Sequence, residues 1–286
     1  GAFPMGMLQL LLRTYERLLK SFDPYAIKLS IIENSIFGVD IEPMAIEISR
    51  LRAWLSVIID EPDKQNIQPL PNLDFKFVCA NSLTSLSKGD DALFDDQELD
   101  KKLSEIRQKY FNARVKTSKE IWQDKYYDLT TGKVQLGESV RSEQLKSFDP
   151  FKVKSPATFF DSFFMFGVNK FDAVIGNPPY VGTKKRSAAD KKNLENEFGF
   201  ADDLYSHFFF KGINLLEDGG SLSYITSKTF WTIQTKRNLR ELLLSKNISY
   251  IFDTANPFES AMVDTAITTV KNSTYELENT IKFFDG

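Results

Sequence analysis

Gly176-Asn177-Pro178-Pro179-Tyr180 combines backbone rigidity, hydrogen-bond acceptors and a flat aromatic face within five residues. It follows Phe171-Asp172-Ala173-Val174-Ile175, an apolar run with the length of a buried strand. Two consecutive prolines terminate such a strand, fix their own φ angles and restrict the residue before them. Asn177 and the carbonyl of Pro178 are therefore expected to sit rigidly at the strand's carboxyl end, where open α/β sheets bind ligands. An Asn oxygen beside a fixed carbonyl makes two acceptors converging on one point. The matching guest is a group with two N–H donors, an exocyclic amine. Tyr180 adds a face on which a base can stack, worth roughly 1–3 kcal/mol. The plainer alternative is a proline turn with a buried tyrosine.

Other chemistry is excluded by scarcity. Cys79 is the single cysteine, so neither an internal disulfide nor a cysteine zinc site can form. His207 is the single histidine, which rules out a histidine-rich metal site. It lies among aromatic neighbours and reads as a packed or surface residue rather than a catalyst. No apolar run approaches the roughly 20 residues of a membrane span, and the start lacks a secretory signal pattern. The expectation is a soluble, cytoplasmic chain. The net charge of −3 announces no nucleic-acid binder, so any such role must come from local patches. Lys184, Lys185, Arg186, Lys191 and Lys192 form one such patch just past Tyr180. It reads either as a set of DNA-phosphate contacts or as a mobile solvated loop.

The elements that must position these residues alternate. Helical periods run over 5–20, 44–59, 204–216 and 236–244, the second opening at Pro43. The helix over 204–216 is expected to stop at Asp218-Gly219-Gly220. Strand-like runs cover 35–39, 75–79, 171–175, 222–225, 248–252 and 263–270, with 281–284 as a further candidate. This pattern predicts an α/β fold with a mainly parallel sheet. Residues 88–150 break the rhythm. They are highly charged with almost equal numbers of acids and bases, and read as a partly helical insertion with a solvated surface.

The motif after the apolar strand resembles the catalytic motif of S-adenosylmethionine-dependent amino-methyltransferases. It is most similar to N6-adenine DNA methyltransferases of restriction–modification systems. Further segments match in order. Gly1-Ala2-Phe3-Pro4 resembles the tail of a cofactor loop, Phe37 to Pro43 a second cofactor motif, and Ala80-Asn81-Ser82-Leu83 a third. Asp203-Leu204-Tyr205 and Tyr224 to Ser227 match the next stretch. Asn256-Pro257-Phe258 resembles the segment that walls the flipped base.

The resemblance implies a Rossmann-like methyltransferase fold with an antiparallel strand near the C-terminus. It implies domains at 1–87 (cofactor half, first strand missing), 88–150 (insertion) and 151–286 (catalytic half). It also implies that S-adenosylmethionine is bound by Gly1, Ala2, Phe3, Asp40, Ile41 and Asn81. Asn177, Pro178, Pro179 and Tyr180 would be catalytic, and Phe258 would line the target-base pocket. The partner would be double-stranded DNA, with nuclease and target-recognition domains fused or separate. Alternatives stay open at individual positions: Asp40 or Asp203 as helix caps, Asn81 as a turn residue, Phe258 as core. They also stay open for the whole: methylation of an RNA base or a protein glutamine amide, or a catalytically silent DNA-interaction fragment. Because the chain begins inside the family's cofactor loop, the expectation is a fragment of a larger enzyme that binds cofactor weakly and does not methylate on its own.

Overall fold

The computed structural model describes residues 1–61, 72–87, 96–134, 139–255 and 263–286. They divide into two compact units, Gly1–Gly167 and Val168–Gly286.

The first unit opens with α1 (Ala2–Leu18), α2 (Pro24–Asn34), β1 (Gly38–Asp40), α3 (Pro43–Ile58) and β2 (Phe77–Cys79). α1 begins three residues before its expected start, so Gly1 caps a helix and Ala2 and Phe3 lie in its first turn. α2 was not anticipated. Asp23 caps it by accepting from the Ala26 N–H, and Pro24 sits at its first position, where no intrahelical donor is needed. β1 and β2 pair in parallel, with Asp40 opposite Cys79. Leu8, Ile31, Ile32, Ile46, Ala53, Val57 and Phe77 are buried together around this pair.

Next come α4 (Asp96–Asn112), α5 (Lys116–Val134), α6 (Val140–Ser147) and the short α7 (Ser162–Phe166). The charged segment is thus more helical than expected, and one side of it is core. Leu103, Ile106, Tyr110 and Tyr126 pack with Phe75, and the Phe151 ring meets those of Phe75, Tyr110 and Tyr126 at 4.9–5.5 Å. Charged outer positions hide these aromatics in any average over the segment. Lys28 and Arg50 are buried cations in this unit. Lys28 pairs with Asp60 at 2.5 Å, and Arg50 with Asp74 at 3.1 Å.

The second unit contains β3 (Phe171–Gly176), α8 (Ala188–Phe198), α9 (Leu204–Asn214), β4 (Leu216–Ser227), α10 (Arg237–Leu244), β5 (Lys246–Ala255), β6 (Thr265–Thr274) and β7 (Lys282–Asp285). The strand order is β3-β4-β6-β5-β7. β6 runs antiparallel to both neighbours, while the β3–β4 and β5–β7 pairs are parallel. Tyr205, Phe209, Leu222, Leu239, Leu243 and Val270 form its core.

One boundary needs correction. α9 ends at Asn214, and Asp218-Gly219-Gly220 lies inside β4 rather than stopping a helix. Gly219 adopts φ +78°, and the β3–β4 register shifts between Phe171 and Ala173. A side chain at Gly220 would meet the carbonyls of Glu217, Asp172 and Phe171 at 3.0–3.1 Å. The two glycines therefore form a bulge, a use of glycine that mimics a loop signal. Among the described residues no helix is long and apolar enough to cross a membrane.

Candidate active site

β3 delivers the motif. Gly176 ends the strand opposite Tyr224, and a side chain there would meet the Tyr224 ring at 3.2 Å. Pro178 is buried, Asn177 and Pro179 are exposed, and Tyr180 is half-buried. The turn therefore anchors itself through Pro178 and presents the Asn177 side chain to solvent. The Tyr180 hydroxyl donates to Asn177 Oδ1 at 2.9 Å and lies 3.4 Å from the Ile225 carbonyl of β4. Burial pushes the Tyr180 phenol up, so it remains a donor at neutral pH. An amide oxygen has two lone pairs, and the tyrosine takes one. This tyrosine–asparagine bond was not expected; sequence reasoning gave Tyr180 only a stacking face.

The basic segment after the motif splits. Lys184 and Lys185 are exposed on a tight turn over Thr183–Lys185. Lys192 is exposed on α8, and Lys191 partly so. Arg186 departs from the set: its guanidinium turns inward and donates to the Asp202 carbonyl. Among the described residues its buried Nε and Nη1 find no hydrogen-bond partner, and burial lowers its pKa. An outward phosphate contact does not describe Arg186 as placed here.

Asp203 precedes α9, yet its carboxylate makes no cap. Oδ1 accepts from the Thr183 N–H at 2.9 Å and its hydroxyl at 3.1 Å, and Oδ2 pairs with Lys236 at 2.6 Å. Of the two readings left open for His207, packed or surface, the structure takes the first: it is fully buried beside Phe198 and Phe200. Its Nε2 accepts from the Asp202 N–H, and burial lowers its pKa to about 4. It is a neutral acceptor, not a proton shuttle. Phe258 falls outside the described residues. At the borders of that stretch, Lys228 pairs with Asp253 at 3.0 Å and Asp264 at 3.6 Å, two contacts that sequence reasoning missed.

In the first unit, Asp40, Ile41 and Asn81 sit at the carboxyl ends of β1 and β2. The Ala80 N–H donates to the Asp40 carbonyl at 2.9 Å. The Asp40 carboxylate is exposed and accepts from the Glu42 N–H at 2.9 Å. Glu42, not Asp40, is the capping position of α3. Ile41 is an apolar side chain left 58% exposed. Asn81 follows its turn reading: Oδ1 accepts from the Leu83 N–H and Nδ2 donates to the Thr84 hydroxyl, both at 3.1 Å. Gly1, Ala2 and Phe3 are exposed at the start of α1. A side chain at Gly1 would meet Arg52 and Ser49 of α3 at 3.2–3.3 Å. Among the described residues no cluster of acids, cysteines or histidines could hold a metal ion.

The chain is similar to known proteins. A family model described as Eco57I restriction-modification methylase matches residues 34–259. RM.MjaORFECS2P of Methanocaldococcus jannaschii is 25% identical over 333 residues, covering 91% of this chain and 28% of that protein. The type II restriction enzyme and methyltransferase RM.Eco57I of Escherichia coli is 27% identical over 128 residues, covering 41% of this chain and 12% of its own. This chain thus spans 28% or less of the length of these curated relatives. Among solved structures, the ATP-dependent Type ISP restriction-modification enzyme LlaBIII bound to DNA superposes with TM-score 0.53 at 14% identity, covering 97% of this chain and 16% of that one. A nuclease-deletion mutant of the Type ISP enzyme LlaGI, in complex with a DNA substrate mimic, gives 0.51 at 12% identity, with 100% and 20% covered. The fold is the Rossmann-like α/β fold of the methyltransferases.

Proposed function

The chain belongs to the Eco57I restriction-modification methylase family, and from that premise we propose that it transfers a methyl group from S-adenosylmethionine to the N6 amine of an adenine in double-stranded DNA. The observation that carries this reading is the exposed Asn177 side chain at the carboxyl end of β3, with Oδ1 held by the Tyr180 hydroxyl at 2.9 Å. A rigid oxygen with one lone pair open suits an amine hydrogen. The Pro178 carbonyl would accept the second hydrogen. Two acceptors draw the nitrogen lone pair out of ring conjugation and aim it. Much of the rate would then come from positioning. The adenine must leave the duplex stack to enter such a site. Tyr180 would stack on it, and Phe258 would wall the other side.

The residues present fit the cofactor. Asp40 is an exposed carboxylate at the end of β1, and the Glu42 N–H occupies one of its oxygens. The other has lone pairs for ribose hydroxyls, a known use of an acid at this place in a nucleotide-binding sheet. The exposed Ile41 offers an apolar surface to an adenine ring, and Asn81, at the end of β2, offers polar groups to its edge. Gly1, Ala2 and Phe3 would border the same ligand. When bound, S-adenosylmethionine supplies an electrophilic methyl group. Lys184, Lys185, Lys191 and Lys192 would meet DNA phosphates. In this reading residues 1–87 serve the cofactor, 151–286 the reacting base, and 88–150 are an insertion; nuclease and target-recognition domains complete the system, and its place is the cytoplasm.

The test is transfer of labelled methyl from the cofactor by the full-length protein, offered DNA, RNA and protein separately. Label in DNA, recovered as N6-methyladenine after digestion, supports the reading. Label in RNA or in glutamine, or in none of the three, overturns it.

A further inference from the structure

The six residues after Tyr180 are fastened to one short segment elsewhere in the second unit. The Leu204 N–H donates to the Val181 carbonyl at 3.1 Å. Thr183 gives both its N–H and its hydroxyl to Asp203 Oδ1, at 2.9 and 3.1 Å. Arg186 donates to the Asp202 carbonyl. Four hydrogen bonds thus join 181–186 to 202–204, and two end on one carboxylate oxygen.

That carboxylate has a demanding neighbour. Asp202 is 7% exposed, and its side chain accepts from the Ser206 hydroxyl at 2.9 Å and the Asp203 N–H at 2.7 Å. A buried carboxylate beside a second, partly buried one needs a cation. Lys236, just before α10 and 4% exposed, supplies it: Nζ touches Asp202 Oδ1 and lies 2.6 Å from Asp203 Oδ2. Its ammonium also stands 5.4 Å from the Tyr205 ring. Burial alone would raise the Asp203 carboxyl; the Lys236 ammonium and the Thr183 donors hold it below the usual carboxylate range.

We propose that Lys236 is a positioning residue for methyl transfer: by holding the Asp203 carboxylate against Thr183 it fixes the 181–186 segment and, through it, Tyr180 and the Asn177 oxygen. This rests on the function proposed above. Lys236 touches no reacting atom, and its effect runs through the seat of the target base.

A distinctive pH signature follows. Lys236→Met leaves Asp202 and Asp203 facing each other. Among the described residues, the other charged or titratable groups around them are the Arg186 guanidinium, the neutral His207 and Tyr205, with Asp190 acting on Arg186. Without a cation between them two such carboxylates repel, and protonating Asp203 at low pH relieves that repulsion. In the full-length protein, kcat of Lys236→Met relative to native should fall on the order of 10- to 100-fold at pH 8.5, the cost of a small misplacement. It should recover severalfold at pH 6. Lys236→Arg should restore most of the loss, and the cofactor KM should stay within about twofold.

A second measurement does not depend on activity: amide hydrogen exchange at Thr183 in the 286-residue chain should quicken in Lys236→Met more than at the core amide of Val270, and not in Lys236→Arg. A native-like kcat in Lys236→Met, or a loss equal at both pH values with Thr183 and Val270 exchanging faster together, overturns the proposal. If the native full-length protein transfers no methyl group, the functional reading fails by itself. Thr183 exchange then decides whether Lys236 fastens the segment, and unchanged exchange overturns that as well.

Discussion

At the carboxyl ends of β1 and β2, the polar side chains bond to neighbours along the chain. Asp40 reaches the Glu42 N–H two residues on, and Asn81 reaches Leu83 and Thr84. At the carboxyl ends of β3 and β4, the Tyr180–Asn177 bond is local, but the other partners that hold the turn are far apart in sequence. Tyr180 approaches the Ile225 carbonyl, Asp203 holds Thr183, and Lys236 joins Asp202 to Asp203. The first arrangement holds its side chains in local turns, with the backbone at Asn81 tied to the Ala157 carbonyl at 2.8 Å, and leaves Asp40 and Ile41 open to a ligand. The second is a wired turn, in which the placement of one oxygen depends on several elements. A site that grips a cofactor by its edges tolerates local looseness. A site that must aim a nitrogen lone pair does not.

The sharpest way to break this comparison is Asn177→Ala in the full-length protein. If the wired turn exists to aim that oxygen, labelled-methyl transfer should fall by roughly 10²- to 10³-fold or more, as when a preorganised hydrogen-bonding group is removed from an active site. Cofactor affinity, measured by titration calorimetry, should be unchanged, because the other unit carries Asp40 and Ile41. Near-native turnover would remove Asn177 from the mechanism.

Tyr180 separates wiring from stacking. Tyr180→Ala removes both the ring face and the hydroxyl, and should cost on the order of 10²-fold in kcat/KM, from roughly 1–3 kcal/mol of stacking plus a lost hydrogen bond. Tyr180→Phe keeps the ring and frees Asn177 Oδ1 from its donor. One hydrogen bond of about 1 kcal/mol corresponds to roughly a fivefold loss, expressed in kcat rather than in DNA affinity. Equal losses in the two variants would mean that the ring face contributes nothing. 2-Aminopurine at the target position should brighten on binding with native protein and with Tyr180→Phe, since base extrusion needs no hydroxyl.

The same contrast explains what could be read from the sequence. The strands at 38–40, 77–79 and 171–176 fall within or beside the expected runs, because short strands announce themselves through apolar composition, although only 77–79 is fully buried and the expected burial of 171–175 does not hold: Asp172 and Ala173 are exposed. The candidate site was legible for the same reason: Asn177 to Tyr180 is contiguous and follows such a run. α2 and α8 escaped notice although Asp23-Pro24 and Ser187 are ordinary capping signals. α8 is polar over most of its length, and apolar residues in α2 do not keep to one face. Gly219-Gly220 misled because a bulge uses glycine as a loop does, here for a positive φ at Gly219 and for close approach to three carbonyls at Gly220. Lys236 and the inward turn of Arg186 were invisible, since a buried cation reads like a surface one until its carboxylates are found on other elements.

A smaller effect tests the open end. Asp40→Asn keeps an oxygen to accept from Glu42 N–H but removes the charge that suits ribose hydroxyls. The cofactor KM should rise roughly tenfold, consistent with losing one or two charge-assisted hydrogen bonds, while kcat changes little. The loss of an exposed carboxylate should leave the thermal midpoint nearly unmoved. A fall in kcat with unchanged cofactor KM would place Asp40 outside the cofactor's reach and erase the division of labour between the two ends.

The smallest effect is a stability profile with one step on each side of neutrality, because each unit buries a basic group without full compensation. In the second unit burial lowers His207 to about 4, helped by the nearby Arg186. An unfolded histidine titrates near 6.5. Between these values the unfolded chain holds a proton that the folded chain refuses, so stability is full above about pH 6.5 and is lost as pH falls toward 4. In the first unit burial lowers Lys76 to about 8, partly opposed by Glu33, and its ammonium lies 4.4 Å from the Phe37 ring. An unfolded lysine titrates near 10.4. Here the burial penalty is complete below pH 8 and fades as pH rises above it, so stability climbs on the alkaline side. Denaturation midpoints between pH 4.5 and 9.5 should show both slopes. His207→Gln, which keeps an acceptor for the Asp202 N–H, should flatten only the acid slope, and Lys76→Met only the alkaline one. If His207→Gln leaves the acid slope intact, the imidazole is not the group refusing the proton. The pH sensitivity of the wired unit would then lie in its carboxylates, where Lys236 stands.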